Sequence, residues 1–186
     1  DKASALSTDQ IDVENAERYD ITYVNENGEK RFPLILHCSP SGAIERCVYA
    51  MLEKAYREQK RGRASTLPLW LTPTQVRLIP MSDEFLADAE KIAEEIERHC
   101  IRVDVDDRAL TVQKRIREAE MEWIHYILVI GRREMESGVL PVRDREARKI
   151  REMPLPELIN EIVERTKDKP FMPLTLPRVL SKRPQF

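Results

Sequence analysis

The sequence predicts an α/β fold: a mixed, mainly parallel sheet flanked by helices, preceded by a hairpin and one long amphipathic helix. Three observations carry this. Beyond residue 68, short apolar strands alternate with helical stripes. Residues 125–130, HYILVI, form a nearly continuous apolar run, as a central strand buried on both faces requires. Near the start, Asn27-Gly28 lies between two apolar runs, a strong short-range hairpin signal.

Taken in order, residues 18–36 read as that hairpin, with strands at 21–24 and 32–36. A helix follows over about 42–58, because Ile44, Val48, Met51 and Ala55 recur at the spacing of one face, which must pack on something. Arg46 falls on roughly the opposite side. Residues 57–68, REQKRGRASTLP, are polar and basic with one Gly and a closing Pro, and read as a surface connection. They divide the chain into residues 1–60 and 68–186. Residues 76–81 form a short strand, with Ser82 as N-cap of a helix whose stripe is Phe85, Ala89, Ile92, Ile96 and His99. IRVDV, 101–105, alternates as a half-buried strand. Val112, Ile116, Ala119 and Trp123 mark a second helix. This β-α-β-α-β order implies parallel strands with right-handed crossovers. Residues 138–144 read as an antiparallel edge strand, with which Pro141 agrees, and 155–166 as a last helix. The tail from residue 170 has four prolines and no periodicity, and either wraps the surface or moves freely.

At 186 residues the chain suits one ordinary domain or a small domain plus part of another. No apolar run approaches the roughly 18 residues a membrane span needs, and no signal-peptide pattern is present. Asp1 in place of Met predicts a natural protein that starts further upstream. Cys38, Cys47 and Cys100 form no C-x-x-C pair, which favours a reducing cytoplasm, with Cys47 and Cys100 as core residues. The net charge of −2 conceals an asymmetry. Residues 83–107 carry ten acids and three bases, a balance of −7, whereas residues 108–151 carry eleven bases and seven acids, a balance of +4.

Four stretches then narrow the reading. HCSPSGAIERCVYAMLE, 37–53, has His, four residues, Gly, two residues and Glu-Arg ahead of an amphipathic helix. It resembles motif 3 of the class II aminoacyl-tRNA synthetases in the form found in the threonyl family. TDQID, 8–12, is similar to that family's T-x-Q-x-D strand, and Gln10 stands 27 residues before His37, the family's spacing. LPLWLTPTQV, 67–76, resembles the entry to the threonyl anticodon-binding domain, and RREMESGVLPVR, 132–143, a later signature of the same domain. The first stretch is closer to the archaeal form.

The resemblance implies an assignment for each residue. His37 corresponds to one of three protein ligands of a catalytic zinc, whose other two ligands lie upstream. An open zinc position binds the amino and hydroxyl groups of threonine, and valine has no hydroxyl to offer. A site built for a hydroxyl rejects the isostere by a factor on the order of ten thousand. One ligand holds zinc poorly, so this chain alone is expected not to bind it. Arg46 is the motif 3 arginine that stacks on the adenine of ATP and reaches its phosphates, for which guanidinium supplies a planar face and a fork. Gly42 lets the backbone approach the ligand, and Gln10 lines the threonine or adenylate pocket. Without the resemblance, the same residues read as a strand-end histidine, a solvated arginine, a turn glycine and an exposed glutamine.

In the second domain the resemblance gives Glu134, Arg143 and Arg117 to the anticodon. A glutamate accepts from a base amino group, and an arginine forks onto guanine or binds phosphate. The family's D-x-R-N run is Asp106-Asp107-Arg108-Ala109 here, so one side-chain amide that would meet the anticodon is missing; Ala43, where many relatives carry Ser, is a smaller departure. His99 and His125 are read as structural. The expectation is the C-terminal portion of a cytoplasmic threonine–tRNA ligase, with ATP, Mg2+ and Zn2+ as cofactors. Its partners would be threonine tRNA, threonine and ATP, and its homodimer contact would lie outside this chain. The chain alone is expected to be inactive. An editing-type paralogue and a non-catalytic tRNA-binding module are the alternatives.

Overall fold

A computed structural model describes residues 5–184. The chain separates into two compact units, Asp1–Lys54 and Ala55–Phe186.

In the first unit, β1 (Thr8–Asp12) pairs antiparallel with β4 (Ile35–Ser39), placing Gln10 opposite His37. Asp12 then starts α1 (Asn15–Arg18) by accepting from the amides of Glu14 at 3.0 Å and Asn15 at 2.9 Å. These bonds hold its carboxyl below the usual range. The expected hairpin is present but shorter: β2 (Tyr23–Val24) pairs with β3 (Lys30–Arg31). Asn25 Oδ1 accepts from the amides of Asn27 and Glu29, and Gly28 supplies the left-handed turn at φ 77°. Residues 32–36 do not form its second strand. Pro33 has no N–H to give a ladder, and the chain leaves the hairpin there to join β1 instead.

The long helix α2 runs over Ile44–Lys60. Its expected packing face is covered only at Ala55 and partly at Met51; Ile44 is 79% exposed and Val48 44%. In residues 5–54, Ala16 is the sole buried residue.

The second unit is built on a five-stranded sheet in the order β6-β5-β7-β8-β9. Its strands are β5 (Val76–Pro80), β6 (Val103–Val105), β7 (Tyr126–Ile130), β8 (Val139–Asp144) and β9 (Lys149–Pro154). The first three are parallel, joined by α3 (Leu86–Arg98) and α4 (Val112–Met121), and β7 is central as expected. Alternate side chains serve two cores. Leu78, Tyr126, Leu128 and Val142 meet α3 and α6 (Leu155–Thr166) through Ala93, Ile96, Leu158 and Ile162. On the other face Ile79 and Ile127 meet Ala119 and Ile116 of α4. Helices on both faces are what a parallel sheet requires.

Several expectations are corrected here. Residues 101–105 are buried on both faces, not half-buried, because Asp104 points into the protein and pairs with Arg77. Ser82 precedes a 3-10 turn, Asp83–Phe85, without a side-chain cap, and α3 begins at Leu86. Trp123 lies beyond α4 rather than on it. It sits at φ 60° where the helix ends, with the Trp123 amide on Glu120 O and the Ile124 amide on Ala119 O, both at 3.2 Å. That is a Schellman closure, sealed by Ile124 against Ala119. His99 and Cys100 are exposed and Cys47 is half-buried, so neither cysteine is a core residue.

The strand at Val139–Asp144 is antiparallel as expected, but it is not the edge. An unforeseen strand, β9, pairs along its whole length. Pairing of β8 with β7 stops at Val142, so Pro141 has only β9 beside it, and its missing N–H faces a locally unpaired side. The helix α5 (Arg132–Ser137) closes at Gly138, φ 68°, before β8. The tail wraps the surface. Val105 donates to Arg178 O at 3.0 Å, Val179 bridges Val105 in parallel, and Leu180 is buried, so the β6 edge is covered. Among the described residues no helix is long and apolar enough to cross a membrane.

Candidate functional site

In the first unit the register pairs Gln10 with His37 on one face of β1–β4, while Asp9 pairs with Cys38 on the other. The Asp9 carboxylate pushes the Cys38 thiol up, away from thiolate character. His37 is exposed, and among the described residues no three His, Cys, Asp or Glu side chains converge to hold a metal. One imidazole facing a glutamine does not fit a zinc ion, which takes three protein ligands in a catalytic site. Zinc therefore enters no step derived from this chain.

Gly42 and Arg46 form a second pair. Gly42 has φ 56°, and a Cβ built on it would stand 2.6 Å from the Leu6 carbonyl oxygen and 4.0 Å from Arg46 Nη1. Only glycine fits such a close approach. Arg46 lies exposed in the first turn of α2 and donates from Nη1 to Ala5 O at 2.8 Å.

In the second unit the expected residues lie on three adjoining elements. Arg143 on β8 stands opposite Ile127 of β7, which places it on the α4 face of the sheet. Its guanidinium is 3.7 Å from Glu120 and its side chain 38% exposed. Arg117, exposed, lies one turn before Glu120 on α4. Glu134, in the first turn of α5, turns back, and its Oε2 accepts from the Gly131 amide at 3.0 Å. A Cβ at Gly131 would meet Met81 Sδ at 2.5 Å, so this turn is as tight as its residues allow. Arg143 thus reaches α4 through Glu120, Arg117 lies exposed on the same helix, and Glu134 is held at the far end of β8 with one oxygen engaged. Ala109 lines a separate hollow of about 730 Å3 with Arg108, Lys114, Ser181 and Arg183. Arg108 there is held charged by Asp106, 2.7 Å away, and by Glu118 at 2.8 Å.

A neighbouring cleft of about 560 Å3 was not singled out from the sequence. Arg143 lines it together with Arg63, Trp123, Arg145, Arg148 and Lys149. The signal was present as the basic excess of residues 108–151, but a charge run does not say which of its members converge.

Comparison with known proteins fits this geometry. Residues 75–165 match the anticodon binding domain family. The match takes in all five strands of the sheet, from Val76 to Pro154, so this α/β unit is similar to the anticodon binding domain class. The whole chain is 57% identical over 186 residues to a threonine–tRNA ligase of Pyrococcus horikoshii and 54% identical over 185 residues to that of Nitrosopumilus maritimus. It also matches the crystal structure of the RNA binding domain of threonyl-tRNA synthetase from Cryptosporidium parvum. There the TM-score is 0.65 at 26% identity, covering 90% of this chain and 39% of that one. The chain is thus similar over its whole length to threonine–tRNA ligases of archaeal type, and spans 30% of the length of the curated relatives it matches.

Proposed function

We propose that this chain is the segment of a cytoplasmic threonine–tRNA ligase that completes the ATP site and docks the anticodon of threonine tRNA. The observation that carries the reading is the joint one. Identity to threonine–tRNA ligases runs over the whole chain, and Arg117, Glu134 and Arg143 all lie within residues 75–165, which match the anticodon binding domain.

In this reading residues 1–60 end the catalytic domain and residues 68–186 form the anticodon-binding domain. Arg46 stacks its guanidinium plane on the adenine of ATP, whose Mg2+ is held elsewhere in the parent, and turns its N–H groups to phosphate oxygens. Gly42, with its neighbouring Leu6 carbonyl, gives the backbone the room to pass close to the nucleotide. Gln10 and His37, paired across β1 and β4, face threonine or its adenylate. His37 would be this chain's contribution to a zinc ion completed by donors elsewhere in the parent. Arg143 and Arg117 take base edges or phosphates, and the free oxygen of Glu134 accepts from a base amino group. The chain alone, without the upstream catalytic parts, does not aminoacylate, and dimerisation belongs to regions outside it.

A division of labour tests this in the full-length parent. Arg46→Ala lowers threonine-dependent ATP–pyrophosphate exchange by about a hundredfold or more, in line with the loss of a charge-stabilising donor. Arg143→Ala leaves exchange unchanged and raises the KM for tRNA. The reverse pattern, or no exchange in the unaltered parent, overturns the reading.

A further inference from the structure

The cleft that Arg143 enters has more built into it than Arg143 needs. It holds about 560 Å3 at the end of the sheet where α4 stops and the β8–β9 hairpin turns. Its lining counts five bases, Arg63, Arg143, Arg145, Arg148 and Lys149, against two acids, Glu120 and Asp144. Asp144 is already taken by Arg151 at 2.7 Å. Lys149 has no ion-pair partner among the described residues. The floor is apolar, with Ile124 and Ile127 each 2% exposed and Ile150 54% exposed.

The wall is aromatic. The Arg145 guanidinium lies 5.7 Å from the centre of the Trp123 ring. Arg145 is fixed there by donating to Ser65 O at 2.8 Å and to Glu120 O at 2.6 Å. Two backbone outliers aim at the same space: Trp123 at φ 60° and Arg148 at φ 51°. Both stand at turn positions where Gly or Asn would be cheaper. Strain of this kind persists where the side chain has a use.

A fixed aromatic–guanidinium wall, an apolar floor and a rim of cations match an unstacked nucleotide: a π-face for the base and charge for its phosphates. We propose that this cleft receives one unpaired nucleotide of the tRNA beside those read by Glu134, Arg143 and Arg117. The base lies against Trp123 and Arg145, and the flanking phosphates on Arg148 and Lys149. The inference rests on the tRNA-docking reading above and adds a subsite to it.

The chain has two tryptophans, Trp70 and Trp123, so Trp70→Phe leaves Trp123 as the single indole reporter. Threonine tRNA transcript is titrated into that variant, with anisotropy of end-labelled tRNA as an independent binding readout. A second variant, Arg148→Asn/Lys149→Gln, removes two cations; asparagine tolerates the left-handed turn that Arg148 occupies. The expected results are quenching of Trp123 that tracks anisotropy, and binding about tenfold weaker near 0.1 M salt in the double variant. The slope of log K on log salt should shrink by about 1 to 2, as when one or two phosphates are no longer neutralised. Both must occur. Binding without quenching, or quenching with an unchanged slope, overturns the subsite and leaves the docking reading intact. Absence of binding by anisotropy overturns both.

Discussion

Arg77 and Asp104 stand opposite each other in the parallel pair β5–β6, both fully buried, and close a bidentate ion pair at 2.8 and 2.9 Å. Glu122 adds a second fork at 2.9 and 2.7 Å, and Thr74 reaches Asp104 at 3.2 Å. Burial opposes the charge on Arg77, and the two carboxylates outweigh it, so the guanidinium stays protonated. Removing Asp104 leaves the buried Arg77 with only the half-exposed Glu122 as counter-charge. Asp104→Ala is therefore expected to cost about 3–5 kcal/mol, whereas Arg77→Met/Asp104→Leu costs clearly less. Urea unfolding of the single and double variants checks this; a double variant as unstable as Asp104→Ala would refute it.

Acid weakens the α6 side of the sheet through Glu161. Arg151, at 2.8 Å, holds the Glu161 carboxyl below its ordinary value of about 4.5, with help from the Tyr126 hydroxyl. A depressed acid stabilises the fold above its unfolded value and loses that contribution as pH falls below about 4.5 through the folded value. His125 acts in the same direction at higher pH. Burial pushes it below its ordinary value of about 6.5, so the folded state prefers the neutral ring. Its contribution is present above about 6.5 and declines as pH falls below that value. Stability followed from pH 7.5 down to about 2 should fall in two stages; Glu161→Gln should flatten the lower stage only.

Gly42 tolerates no side chain. At φ 56° with the Leu6 carbonyl 2.6 Å from the Cβ position, Gly42→Ala meets both backbone strain and a clash with backbone that cannot rotate away. A cost on the order of 1–3 kcal/mol is expected. Hydrogen exchange should show faster exchange in the first turns of α2, with the five-stranded sheet unchanged. A change spread over both units would contradict the local account.

The tail is tied down through Asp107, whose carboxylate accepts from the amide of Ser181 at 2.9 Å and from its hydroxyl. Asp107→Ala should cost about 1 kcal/mol and expose residues 178–183 to protease before the rest of the chain. Uniform cleavage kinetics in variant and parent would show that Arg178 and Arg183 hold the tail unaided.

The sheet was legible because its strands announce themselves by apolar runs: HYILVI became the central strand, and 155–166 the last α-helix. What stayed hidden was polar in composition but buried by partnership. KIREMP, β9, carries one buried residue, Met153, and its inward Arg151 is matched by Asp144 and Glu161. Asp104 made β6 look half-solvated for the same reason. A hydropathy pattern cannot express that a charge has its counter-charge waiting across the sheet. The site divides likewise. Gln10, His37, Gly42 and Arg46 entered the candidate site through motif spacing, Glu134 and Arg143 through the signature at 132–143, and Arg117 as a further basic residue that the resemblance matches. Trp123, Arg145 and Arg148 were not, since their convergence depends on a Schellman turn and a hairpin turn meeting in space.

The most direct test compares binding of this chain to threonine tRNA with binding to the same tRNA carrying a replaced anticodon, at two salt concentrations. The account predicts weaker binding to the replaced anticodon at both salts, by roughly 10-fold or more for each base whose edge no longer matches its side chain. Glu134→Ala and Arg143→Ala should erase that difference. Equal binding of the two tRNAs, falling together as salt rises, would reduce the interaction to phosphate attraction and contradict anticodon reading by Glu134 and Arg143.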